Sequence, residues 1–127
     1  MKEEKCLFCK VKEEKEKIIL ENNLAFARYD DFPVSKGHML FITKRHAKDF
    51  FSITLEEKNA IFELIDKAKK IIDEKYKPSG YNIGMNCGVS AGQTVMHVHV
   101  HLIPRYDGDV ENPRGGVRGV IPSKQNY

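Results

Sequence analysis

The sequence predicts an α+β fold in which an antiparallel five-stranded sheet carries one long helix. Three observations lead there: five short runs of strand character, one long amphipathic helix with signals at both ends, and turn residues joining several of the strands. The first two runs, 18–20 and 24–29, are separated by the turn-forming pair Asn22-Asn23. Pro33, Ser35 and Gly37 make a loop before a third run at 38–43. The helix spans about 55–75: Thr54 can cap it, and Glu57 completes the capping-box spacing. Ile61, Leu64, Ile65, Ala68, Ile71 and Ile72 recur at helical spacing and form one apolar stripe. Lys75, Lys77 and Pro78 close it, with basic charge at the negative end of the dipole. A fourth strand follows at 81–86, a small-residue loop at 87–94, and a fifth strand at 96–103 that Pro104 halts. One helix covers one face of such a sheet, so the fold predicts a homodimer that extends the sheet or covers what remains.

Composition narrows the function. The 127 residues fit a single domain over 1–127, with 106–127 as an irregular C-terminal arm. Hydrophobic residues make up 41% and charged residues 31%, as in ordinary globular domains. No apolar run approaches the roughly 20 residues of a membrane helix. The charged start, Met1-Lys2-Glu3-Glu4-Lys5, lacks the apolar stretch of a signal peptide, and three cysteines make no disulfide framework. A cytoplasmic protein is the expectation. A net charge of +3, with Lys and Glu interleaved over 12–17, suits a small anionic ligand and calls for no long nucleic acid.

The chemistry concentrates in one strand. His97, His99 and His101 alternate with Val98, Val100 and Leu102. Residues two apart in a strand share a face and lie roughly 6.5 to 7 Å apart, so the three imidazoles line one side while the aliphatic residues enter the core. Structural hydrogen bonding, a catalytic metal held by His-x-His, and nucleophilic attack by a neutral imidazole are the competing readings. The preceding loop favours a phosphate ligand. Gly88 and Gly92, with Ser90 and Ala91, bring backbone N–H groups toward an anion, and Gln93 and Thr94 add side-chain donors.

Gly92-Gln93-Thr94-Val95-Met96-His97-Val98-His99-Val100-His101, followed by Pro104-Arg105, closely resembles the signature of the histidine triad (HIT) superfamily. It looks most like the fragile-histidine-triad branch of dinucleoside polyphosphate hydrolases. The resemblance extends upstream through Asp30, Pro33, Gly37-His38 and Lys44-Arg45-His46, covering roughly 6–105. It implies a HIT-like fold and nucleotidyl transfer to a histidine, followed by hydrolysis to a nucleoside monophosphate. By position, His99 is the nucleophile toward the α-phosphate, His101 contacts phosphate oxygens, and Gln93 and Thr94 donate to the phosphate or the leaving oxygen. Asn86 falls near the phosphate or ribose, Asp30 on the ribose, and His38 beside the active site. A nucleoside phosphoramidase of the Hint branch, a phosphorylase and a nucleotide-binding adaptor with little turnover share these features.

Cys6-Leu7-Phe8-Cys9 has zinc-knuckle spacing, with a redox pair and two packed small residues as competing readings. Zinc-binding relatives imply that His46 and His97 complete a closed structural zinc site with Cys6 and Cys9; no organic cofactor is implied. In that case His97 serves the metal rather than the phosphate. Many relatives cover the base with an apolar residue in a turn, whereas this chain reads Lys12-Glu13-Glu14-Lys15-Glu16 there. Phe8, Leu20 and Asp31 are the remaining candidates for a base pocket. For the tail, a flexible C-terminus competes with an arm that wraps the sheet or the partner subunit, buries Val117, Val120 and Ile121, and brings Arg118 to a phosphate.

Overall fold

The computed structural model describes residues 6–127; the charged start at 1–5 lies outside them. Cys6 caps a short helix, α1 (Leu7–Val11), its sulfur accepting from the Cys9 amide at 3.4 Å. Strands β1 (Leu20–Glu21) and β2 (Ala25–Tyr29) form a hairpin. Its turn is held by Asn22, whose Oδ1 accepts from the Leu24 and Ala25 amides. β3 (Met39–Thr43) follows, then the long helix α2 (Leu55–Tyr76), β4 (Gly80–Gly84) and β5 (His99–Arg105). All pairings are antiparallel, in the order β1-β2-β3-β5-β4. The predicted fold class is the observed one.

The capping box is complete: Thr54 Oγ1 accepts from the Glu57 amide at 3.1 Å, and Glu57 Oε1 from the Thr54 amide at 2.9 Å. Glu57 is buried and also takes two hydrogen bonds from Arg45, at 2.7 and 3.1 Å. Lys77 closes α2 in the left-handed conformation, φ 54°, directly before Pro78. Gly37 turns the chain into β3 with φ +89°, and a β-carbon there would lie 3.0 Å from the Tyr76 ring.

Alternation in the strands builds two layers. Ala25, Ala27, Met39, Phe41, Val98, Val100 and Leu102 face α2, where Ile61, Leu64, Ile65, Ala68 and Ile72 complete the main core. The opposite face carries Phe26, Leu40 and Ile42 under Phe8 and Val11 of α1. β3 is therefore buried along its whole length.

Three predicted strands differ by two or more residues at one or both ends. Of the first predicted strand only Leu20 lies within β1, although the Ile19 amide also donates to the Ala27 carbonyl at 2.8 Å; Ile18 ends a 3₁₀ turn over Lys15–Lys17. β4 begins one residue early and stops at Gly84. β5 begins at His99 and passes through Pro104 to Arg105. In an antiparallel strand one residue's N–H and C=O face the same neighbour. The Pro104 carbonyl accepts from Ser35 Oγ at 2.7 Å, so the missing N–H faces the segment before β3, where that ladder has ended at Met39–Leu102. The ladder to β4 loses nothing.

The C-terminal arm lies beside β4 and the outer end of β5, enclosing a cleft of about 520 Å³ with Asn82, Ile103 and Arg105. Val117, Val120 and Ile121 are not buried against this protomer's own sheet. Arg118 stacks on Tyr127 and donates to the Lys124 carbonyl, so it does not reach the histidines. Polar contacts within the arm hold it together. Among the described residues no helix is long and apolar enough to cross a membrane. Replacing Thr54 by alanine removes one cap bond and is expected to cost about 1 kcal/mol, read as a lower denaturant midpoint at unchanged slope.

Candidate functional site

The register across β2, β3 and β5 lays out the site. Arg28, Leu40 and His101 form one row, and Phe26, Ile42 and His99 the next. A cleft of about 420 Å³ opens above them, with His99, His101, Asn86, Gly92 and Thr94 at one end and Leu7, Phe8, Val11, Arg28 and Asp31 also in its lining. Arg28 stands two strands from His101, about 9.5 Å at ordinary strand spacing. The cleft beside the arm is larger, but its charged lining residues Arg105 and Asp109 neutralise each other and its hydroxyl, Ser35, is committed to the Pro104 carbonyl.

Hydrogen bonds fix the form of each imidazole. His99 Nδ1 lies 2.9 Å from the His97 carbonyl, which can only accept, so Nδ1 carries the proton and Nε2 keeps its lone pair. The Val34 amide donates to His38 Nδ1 at 3.1 Å, so His38 donates from Nε2 to His101 Nδ1, 2.9 Å away. That leaves the His101 proton on Nε2. Asp30 Oδ2, 3.4 Å from His38 Nε2, steadies the same donor, while Asp30 Oδ1 accepts from the Phe32 amide. Phe8 meets the His99 ring edge-on, with centroids 4.6 Å apart.

Burial keeps these rings neutral. It holds His99 below the ordinary imidazole value, against the hydrogen bond to His97 and the charge of Asp30, which favour protonation. Burial likewise lowers His101 to about 4, helped by neighbouring His99 and His38 and opposed by Asp30. His38 is lowered by burial despite Asp30. An uncharged imidazole with a free lone pair can attack an electrophile, and one with its proton on Nε2 can donate to an anion.

Two predicted phosphate contacts are corrected. Gln93 is buried, its Oε1 accepting from the Gly88 amide at 2.8 Å and its Nε2 donating to the Lys48 and Val95 carbonyls. Both amide protons are spent within the protein, so in this arrangement Gln93 positions the loop. The loop amides of Gly88, Ala91, Gly92 and Gln93 are also consumed locally and form no anion nest. Thr94 and Asn86 do line the cleft. His38 lies behind His101 and acts through it, and Leu20 packs toward the α2 core rather than the cleft.

Cys6, Cys9, His46 and His97 converge, their ligand atoms all within 4.8 Å of one another. His97 Nε2 donates to the Thr43 carbonyl at 2.8 Å, which turns the Nδ1 lone pair toward the cluster. His46 Nδ1 lies 3.3 Å from His97 Nδ1, and sulfur–nitrogen separations are 3.2 to 3.4 Å. Ordinary zinc bond lengths give tetrahedral edges of about 3.3 Å between nitrogens and about 3.6 Å between nitrogen and sulfur. Two imidazole nitrogens facing each other across that distance gain more from a shared cation than from each other. The donor set fits a four-coordinate zinc ion.

Residues 11–108 match the sequence pattern of the family described as "HIT domain". The chain belongs to the HIT family. An uncharacterized HIT-like protein of Methanocaldococcus jannaschii is 38% identical over 108 residues, covering 84% of this chain and 83% of that protein. A bis(5'-nucleosyl)-tetraphosphatase [asymmetrical] of Schizosaccharomyces pombe is 40% identical over 77 residues, 61% of this chain and 42% of its own length. A solved structure, a Zn-bound histidine triad family protein from Mycobacterium smegmatis, superposes with a TM-score of 0.76 at 29% identity, covering 85% of this chain and 80% of that one.

Sequence reasoning missed Arg28 in this HIT protein's cleft. The signal was present: Phe26 and Arg28 share a strand face, so an arginine stands where alternation places a buried residue.

The lowered histidines set a pH dependence of stability. Above about pH 6.5 a histidine is neutral in both states. Between about 6.5 and the folded value of about 4 for His101, the unfolded chain binds more protons, so stability is full above pH 6.5 and declines as pH falls. Denaturation midpoints measured from pH 7.5 to 4.5 should fall less steeply for His101→Asn than for the wild type; equal slopes would remove His101 as a contributor.

Proposed function

We propose that this HIT protein cleaves nucleotide conjugates at the α-phosphate through a nucleotidyl-histidine intermediate, with dinucleoside polyphosphates as the leading substrates. The observation that carries the reading is the His97 carbonyl held on His99 Nδ1, which leaves the Nε2 lone pair as the reactive atom beside the cleft. Nε2 attacks the α-phosphorus; the phosphorus–nitrogen bond forms as the bond to the leaving oxygen breaks, and that oxygen departs with the electron pair. Water then attacks the same phosphorus, its proton is lost to solvent, and the phosphorus–nitrogen bond breaks to release the monophosphate. His101 donates from Nε2 to a phosphate oxygen, with His38 and Asp30 fixing that proton. Thr94 and Asn86 supply further polar contacts, Asp30 borders the sugar, and Phe8 supports the His99 ring. Gln93 holds the loop.

Cys6, Cys9, His46 and His97 hold a structural zinc ion in this reading. Four protein ligands leave no open position, so the metal anchors α1 to the sheet and takes no part in the reaction. The chain acts as one domain over 1–127 and pairs as a homodimer, a reading supported by β4 forming a sheet edge with Ile83 exposed.

Monophosphate release from diadenosine and diguanosine tetraphosphate, followed by chromatography, tests the mechanism. The expected result is turnover by the wild type and a loss on the order of 10³-fold or more in His99→Asn. Equal release by both would overturn the histidine nucleophile. Release from neither substrate, with turnover of a nucleoside phosphoramidate, would move the protein to the phosphoramidase class. Metal analysis should find about one zinc per chain, lost in Cys6→Ser/Cys9→Ser and retained in His99→Asn; unchanged stoichiometry in the double variant would remove the zinc site.

A further inference from the structure

Away from the histidines the cleft changes character. Leu40, beside His101 in the sheet, forms its floor, and Phe8, which reaches over from His99, and Val11 line it, all buried. Into this apolar setting β2 places Arg28, 3% exposed. Its guanidinium is fixed by three acceptors: the Tyr29 carbonyl at 3.4 Å, Glu14 at 3.2 Å and Asp31 at 2.9 Å. Asp31 also lines the cleft and is bound to Arg28 through Oδ1. Its Oδ2 takes no hydrogen bond among the described residues. Lys17 approaches Oδ1 at 4.0 Å.

A nucleotide whose phosphate lies at His99 and His101 extends its base over Leu40 toward this pair. The guanidinium retains donors beyond the three it has spent. The carboxylate presents only acceptors. Guanine meets both requirements: N1–H and the exocyclic amine are adjacent donors for a carboxylate, while O6 and N7 accept from arginine. Adenine offers an unprotonated N1 between its amine and C2, so it has no paired donors for the two carboxylate oxygens.

We propose that Arg28 and Asp31 read the base and make the cleft selective for guanine over adenine nucleotides, with Asp31 the specificity-determining residue and Arg28 its prop. This selectivity rests on the nucleotide reading above and names its substrate class. The pair also ties the Lys15–Lys17 turn to β2, but that role affects stability, not the ratio between two ligands.

Calorimetric titration of the wild-type protein with guanosine, inosine and adenosine monophosphates separates the outcomes without requiring turnover. Guanosine monophosphate is expected to bind about tenfold more tightly than adenosine monophosphate, with inosine monophosphate, which lacks the exocyclic amine, in between. Asp31 is more than half exposed, so Asp31→Ala should fold; it is expected to reduce the ratio to within about twofold by weakening only the guanine ligand. Tight binding of both nucleotides with equal affinity, or a ratio unchanged in Asp31→Ala, would overturn base reading while leaving the nucleotide site standing. Binding of none of the three would overturn both. Preference for adenine would reverse the assignment of donors and acceptors and reject the proposal.

Discussion

His97 is the residue on which the rest of the site depends, through two hydrogen bonds made by different parts of it. Its ring donates to the Thr43 carbonyl and thereby turns Nδ1 toward Cys6, Cys9 and His46. Its own carbonyl accepts from His99 Nδ1 and fixes the tautomer that leaves Nε2 reactive. One residue thus anchors the short N-terminal helix and orients the imidazole beside the cleft. The ring has no exposure to solvent, and burial lowers its proton affinity to about 4. A neutral ring is what both a metal ion and a fixed donor to Thr43 require.

From that anchor the cleft assembles in layers. Holding Cys6 and Cys9 against the sheet places Phe8 on the His99 ring and Val11 on the Phe26 row. The wall of the cleft is therefore a consequence of the Cys/His cluster. The α2 face does different work: Val98, Val100 and Leu102 bury into it and prevent β5 from shifting by one residue, which would turn the histidines into the core. The geometry of the histidine site and the stability of the sheet are divided between the two faces of one strand.

Much of this was legible in the sequence, because periodicity reports burial directly. The helix, its cap and the alternating histidine strand follow from residue spacing, and the Cys-x-x-Cys to His46 and His97 grouping follows from the family resemblance. The misses have physical causes. Gln93 carries donors suited to an anion, but its neighbours' carbonyls were invisible in one dimension and consumed both protons. Pro104 breaks a ladder only if its nitrogen faces a partner strand, and here β3 has already ended. Arg118 is basic and near the chain end, yet Tyr127 and the Lys124 carbonyl satisfy it locally.

Arg28 shows why polarity in a strand is hard to interpret without the third dimension. A buried arginine costs free energy unless its charge is paired, and Glu14 and Asp31 provide that pairing from opposite sides in sequence. An aliphatic residue at the same place would close the cleft wall with no such requirement. Retaining a charged pair beside an apolar floor gives the wall hydrogen-bonding polarity. The tautomers of His99 and His101 set the polarity of the histidine end of the cleft by the direction of single protons, whereas the Arg28–Asp31 pair sets the polarity of its wall by fixed charge.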